Sequence, residues 1–177
     1  MRLASVQRPK IPTLLSAFIT LLNDRLGETI VFPLLPFLLE RFATSGSTLG
    51  LLAGTYAISQ FAVAPLIGAL SDRFGRKPII ITCVAGSVIG LSLFATTVSI
   101  DWKEALPNWG VSAPLILLFL ARVIDGASGG TAATATAVLA DISTPENRAK
   151  TFGLIGVAFG LGFVLGPGLG TALAQFS

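Results

Sequence analysis

Residues Pro78–Ser99 read PIIITCVAGSVIGLSLFATTVS, a run without one charged side chain. The hydrocarbon core of a bilayer is crossed by about 20 apolar residues in a helix, and this run is long enough. In hydrocarbon every backbone amide must be paired inside its own segment, so the run is a helix and not an open strand. Similar stretches lie on both sides of it. Together they cover residues 12–39, 48–70, 78–99, 113–140 and 152–175, five candidate spans joined by polar connectors. The expected fold is an all-α membrane protein.

Composition points the same way. Hydrophobic residues make up 53% of the 177 residues and charged residues only 12%, with a mean hydropathy of +0.81. A soluble domain carries about twice that charge, so lipid is the expected solvent. Cys83 is the only cysteine and there is no histidine. A disulfide within the chain and a thiolate or imidazole metal site are therefore excluded. No metal, no cofactor and no nucleic-acid partner is expected. No paired nucleophile and base and no phosphate loop is present, so the chain does not read as an enzyme. The first apolar stretch is too long for a cleavable signal peptide and lacks an Ala-x-Ala ending.

The basic residues fix an orientation. With a cytoplasmic N-terminus, one side holds Arg2, Arg8, Lys10, Arg73, Arg76, Lys77, Arg148 and Lys150. The other holds Arg41 and Lys103, with Trp102 and Trp109 where interfacial indoles are expected. The positive side is the inside, and the expected location is the plasma (inner) membrane.

The connector after the second stretch reads Gly68-Ala69-Leu70-Ser71-Asp72-Arg73-Phe74-Gly75-Arg76-Lys77-Pro78. Glycine permits a tight turn and close approach, Asp72 can meet a helix N-terminus or a cation, and Arg73, Arg76 and Lys77 hold the loop at the anionic inner surface. This segment resembles motif A of the major facilitator superfamily, Gly-x-Leu-Ser/Asp-Asp-Arg-x-Gly-Arg-Lys, at every defined position. The resemblance implies that Gly68, Asp72, Arg73, Gly75, Arg76 and Lys77 form a latch between two six-helix lobes.

Two further stretches extend the resemblance. In the fourth span Arg122 lies about 12 Å in from the outer end at the helical rise. An intramembrane arginine is costly unless paired or hydrated, which makes it a candidate functional residue. Arg122-x-x-x-Gly126 with Gly129 and Gly130 is similar to motif B, whose arginine takes part in proton coupling. Asp125 stands where that pattern often has glutamine, one turn from Arg122, and a structural ion pair within the helix would also account for it. In the fifth span Gly153, Gly162, Gly166, Pro167 and Gly170 resemble motif C, the antiporter signature, with Thr171 in place of its last glycine. Generic small-residue helix packing explains the same spacing in part.

The first span holds Asn23-Asp24-Arg25-Leu26-Gly27-Glu28, followed by Pro33 and Pro36. Asp24 and Glu28 share a helix face. By helical rise Glu28 is about 16 Å and Asp24 about 22 Å from Leu39, and Asp125 is about 18 Å from Ala113 on an antiparallel span. The acids and Arg122 can thus meet at similar depth if spans one and four are neighbours, as the family resemblance implies. A re-entrant start, with the span proper beginning later, is the alternative. Gln60 and Tyr56 lie one turn apart on the second span and suit either a cavity or a hydrogen bond between helices. Asp141 and Arg148 are placed to tie to the motif A loop.

The expected activity is secondary transport of a small molecule, with proton-coupled efflux of drug-like or lipophilic compounds first. A carrier of sugars, metabolites or siderophores, or a truncated fragment needing a partner chain, remains open. Asp24, Arg25, Glu28, Gln60, Arg122 and Asp125 are the candidate coupling and cavity residues, with Glu28 the first choice for the proton. The partners are the substrate, protons and the lipid bilayer. The chain is expected to be an incomplete N-terminal lobe, with a missing C-terminal lobe or partner chain needed for transport.

Overall fold

A computed structural model describes residues 11–35, 38, 42, 45–102 and 112–174. Arg2, Arg8, Lys10, Arg41, Lys103 and Trp109, on which much of the orientation rests, lie outside the described residues, as does the chain end beyond Ala174. The described elements are helical: α1 (Ile11–Thr29), a 3-10 turn (Phe32–Leu34), α2 (Gly46–Phe74), α3 (Arg76–Ser99), α4 (Ser112–Ser128), α5 (Gly130–Ile142) and α6 (Arg148–Ala174).

Local chemistry explains several of these limits. Ser45 caps α2, its side-chain oxygen accepting from the Thr48 amide at 3.4 Å. Hydroxyls inside the helices turn back on their own backbone. Thr55 donates to the Leu51 carbonyl at 2.8 Å, Thr97 to Leu93 at 2.7 Å and Thr134 to Gly130 at 2.9 Å. Such bonds leave no polar hydrogen facing an apolar surround.

Three features differ from the sequence-based expectation. The first span does not run as one helix to Leu39. The α-helix stops at Thr29, a turn follows at Ile30 and Val31, and Phe32–Leu34 forms a 3-10 turn. Pro33 causes this, because its ring collides with the carbonyl four residues back, that of Thr29, and it has no amide to donate. The connector at Ser71–Lys77 shrinks to Gly75 alone, since α2 continues to Phe74 and α3 begins at Arg76. The fourth span is divided at Gly129, which stands between α4 and α5 in a turn closed by its amide on the Gly126 carbonyl at 3.0 Å.

Among the described residues, four helical stretches are long and apolar enough to cross a membrane: Gly46–Phe74, Arg76–Ser99, Ala113–Ile142 and Arg148–Ala172. The remaining helix, α1, is 19 residues long and carries Asp24, Arg25 and Glu28 in its second half. The α4–α5 pair forms the centre, touching α1, α2 and α3, with α6 packed on α1 and α5. The outside is greasy, with Phe61 83% and Val164 73% exposed, as a lipid-facing surface requires.

Inside, the apolar side chains form two clusters. One contains Val31, Leu52, Phe94, Leu118 and Ala121, the other Ala17, Leu21, Ala135, Leu139 and Ala158. Along α1 the charged turn 24–28 falls after Leu21 and before Val31. Along α4 and α5, Arg122 and Asp125 fall after Ala121 and before Ala132. The ionisable groups therefore occupy a single layer between two apolar layers.

Candidate functional site

The layer is built from facing helices, and small residues bring them together. Glycines of α3 reach α4 closely: a Cβ at Gly90 would lie 2.8 Å from the Asp125 Cβ. On the other side of α4, Gly126 leaves room for the Tyr56 carbonyl and Gly129 for the Gln60 amide of α2. The small residues after Arg122 are what let α2 and α3 close on the arginine.

Arg25 and Arg122 are each enclosed, at 7% and 4% exposure. Arg25 binds the Asp24 carboxylate through Nη2 at 2.6 Å and Nε at 3.2 Å, and pairs with Glu28 through Nη1. Its guanidinium lies 4.7 Å over the Phe159 ring of α6. Arg122 pairs with Asp125 at 3.3 Å and is stacked on Phe94 at 4.8 Å and on Tyr56 at 5.7 Å. A buried guanidinium needs such partners, since an isolated buried charge is costly.

Asp24, Glu28 and Asp125 line one cavity of about 290 Å³, together with Asn23, Ser87 and Tyr56. Arg122 lines a neighbouring cavity of about 220 Å³, which shares Glu28 and Tyr56 with the first. Arg25 lines neither and faces α6. Gln60 also stands apart, its amide donating to the Gly129 carbonyl at 3.1 Å and to the Tyr56 hydroxyl at 3.3 Å. That bond ties α2 to the α4–α5 break.

The α6 glycines meet α1 and not the cavity. A Cβ on Gly162 would lie 2.5 Å from the Arg25 Cβ, one on Gly166 2.9 Å from the Thr29 Cβ, and one on Gly170 3.2 Å from the Pro33 Cγ. Gly153 has open space around it and does not join them. Pro167 sits within α6, which continues past it. Thr29, Ser87, Phe94 and Phe159 were not singled out by the sequence. Only Thr29 carried a signal, one turn after Arg25 on the face that the glycines cover.

At the other end of α2, Arg76 gathers three groups. It binds Asp72 at 2.7 Å, the Ser71 hydroxyl at 2.7 Å and Asp141, at the end of α5, at 3.2 Å. Gly75 takes φ +94°, a conformation that other residues rarely adopt. Gly68 offers its carbonyl to the Ser71 hydroxyl at 2.9 Å. Arg73 rests on the Phe74 ring at 5.4 Å and Arg148 on the Phe152 ring at 5.6 Å. Lys77 is exposed.

The sequence profile of the Major Facilitator Superfamily matches residues 15–177. The chain belongs to the major facilitator superfamily. It is thus a multi-pass protein of the plasma (inner) membrane and no enzyme. The chain is 38% identical to the class C tetracycline resistance protein of Escherichia coli over 161 residues, 89% of this chain and 37% of that protein. It is 34% identical to the class E protein of the same organism over 168 residues, 93% of this chain and 38% of that protein. The major facilitator superfamily domain-containing protein 10 of Bos taurus is 33% identical over 196 aligned residues, 94% of this chain and 40% of that protein. This superfamily chain thus spans about two-fifths of the length of these relatives.

Proposed function

We propose that the chain is the front part of a superfamily exporter that exchanges protons for drug-like or lipophilic compounds, with a C-terminal lobe or partner chain completing it. The observation that carries this reading is the convergence of Asp24, Glu28 and Asp125 on one cavity that lies between apolar layers. Carboxyl groups in such a place hold or release a proton according to who faces them, because burial favours the neutral acid and a nearby guanidinium the charged one. Two states of the cavity with different counter-charges then hold the proton differently, which is what coupling requires.

Facilitators are built from paired six-helix halves with the site near the midplane, and the charged layer fits that position. The relatives named for tetracycline resistance support efflux of amphipathic compounds over uptake of a sugar or metabolite. Glu28 is the first candidate for the coupled proton, since it borders both cavities and meets Arg25. Asp24 and Asp125 assist, and Arg122 sets their field.

The test is proton release when substrate binds to the full-length protein that contains this chain, in weakly buffered detergent solution. The expected result is release that disappears in Glu28→Gln and falls in Asp24→Asn. Release unchanged in both variants would end the assignment.

A further inference from the structure

We propose that Ser87 is a positioning residue for the Asp125 carboxyl: its hydroxyl stays with the acid in both protonation states and keeps it directed at the acid cavity. The inference rests on the reading of the chain as a proton-exchanging exporter and adds a residue of α3 to that site.

The contact begins with the backbone. A Cβ on Gly90 of α3 would lie 2.8 Å from the Asp125 Cβ and 2.9 Å from the Asp125 amide nitrogen. One turn earlier, a Cβ on Gly86 would lie 3.0 Å from the Ser128 Cβ. The two glycines seat α4 against α3 above and below Ser87. Ser87 lines the acid cavity with Asp125, and its hydroxyl stands within hydrogen-bonding reach of the Asp125 carboxyl.

Other hydroxyls of α3 behave differently. Thr82 donates to the Pro78 carbonyl at 3.0 Å, Thr96 to Ser92 at 2.9 Å and Ser99 to Ala95 at 2.9 Å. Among the described residues no such backbone bond holds Ser87, so its hydroxyl is left for the acid.

The charged groups that act on Asp125 are Arg122 on its own helix and Asp24 and Glu28 from α1. Tyr56 of α2 borders the same cavity, and α3 and α5 contribute the uncharged Ser87 and Thr131 to its wall. A guanidinium only donates hydrogen bonds, and a carboxylate only accepts them. Arg122 therefore complements Asp125 in its charged form alone. A hydroxyl does both. Ser87 donates to the carboxylate. When a proton from the cavity bonds to one carboxyl oxygen, the Ser87 hydroxyl turns and accepts from the new O–H. The proton stays on Asp125, and Ser87 neither gains nor loses one. Without this partner the carboxyl is held in one protonation state and loose in the other.

The experiment uses the full-length protein that contains this chain, in inverted vesicles, with tetracycline as the transported probe. The quantity read is the rate driven by an imposed pH gradient divided by the rate of exchange without one. Ser87→Ala should lower this ratio about threefold to tenfold, the scale of one hydrogen bond. Added to Asp125→Asn, the same change should lower it no further, because Ser87 acts through that acid. Where Ser87→Ala does not accumulate in the membrane, Ser87→Cys, of similar size and with only a weak donor, carries the same two expectations. A ratio unchanged in the single variant, or an equal loss with Asp125 and with asparagine at 125, would overturn the role of Ser87 and leave the exporter reading standing. An unmodified protein with no gradient-driven transport of the probe would overturn both.

Discussion

The Thr29 hydroxyl lies 2.9 Å from the Gly162 carbonyl oxygen and 2.7 Å from its own helix's Arg25 carbonyl. This contact joins α6 to the turn of α1 that carries the charges. A hydroxyl bond between membrane helices contributes about 0.6 kcal/mol on average, so Thr29→Val lowers stability slightly. Gly166→Leu inserts a side chain where the Thr29 side chain already stands, and overpacking of this kind costs about 1–3 kcal/mol. Thermal unfolding in detergent should rank Gly166→Leu well below Thr29→Val, and equal melting temperatures would refute the close seat.

Arg25 holds two carboxylates at once. Removing one partner of a buried pair costs about 3–5 kcal/mol because the other charge is left uncompensated. Arg25→Met should therefore destabilise severely. The triple variant Asp24→Asn, Arg25→Met, Glu28→Gln should recover much of the loss. A mutant cycle on thermal stability measures this, and strictly additive effects would exclude the charge network.

Replacing Gly75 by alanine forces a Cβ into a conformation with φ 94° and ψ 154° that is essentially reserved for glycine, at about 1–3 kcal/mol. Asp141→Asn removes only a partly exposed ion pair with Arg76, a class of contact contributing about 0–1 kcal/mol. Denaturation should show Gly75→Ala as the more harmful change, and high salt should erase the Asp141→Asn effect but not that of Gly75→Ala.

Asp125→Asn retains the shape of the side chain and removes a charge from the acid cavity. Transport by the full-length protein into inverted vesicles, driven by an imposed pH gradient, should fall, though less than in Glu28→Gln, while substrate exchange without a gradient persists. Loss of both in equal measure would mean that Asp125 serves folding or binding and not coupling.

Phe61 stands near the middle of α2 and is 83% exposed. If that face meets acyl chains, a lysine there costs about 2.5–3.5 kcal/mol on insertion scales. Phe61→Lys should reduce the amount of protein in the membrane, whereas Phe61→Leu should not. Equal accumulation would place Phe61 against water or protein.

Much of this arrangement is legible in the residues, and the parts that are not have physical reasons. Helical rise alone puts Asp24, Glu28 and Asp125 at similar depth, because depth depends only on counting along antiparallel helices. Which way Arg25 turns depends on the rotation of α1 against α6, and that is set by the gap at Gly162 and the ring of Phe159, far away in sequence. The end of α1 at Thr29 was harder to read, since an apolar run continues past Pro33 and apolarity is blind to a missing amide. Gln60 illustrates a middle case: its spacing from Tyr56 suited a cavity wall equally well, and only the break at Gly129, which frees a carbonyl on the facing helix, decides where its amide goes.

Gly75 has a consequence for motion. Two rods of 29 and 24 residues, α2 and α3, meet at this one residue, so the join has two free torsions and no slack. A swing of either rod is passed to the other like the throw of a crank, and Arg76, at the first step beyond the pivot, registers it as a change of distance to Asp141 on α5. This end of the bundle is thereby geared to the tilt of α2.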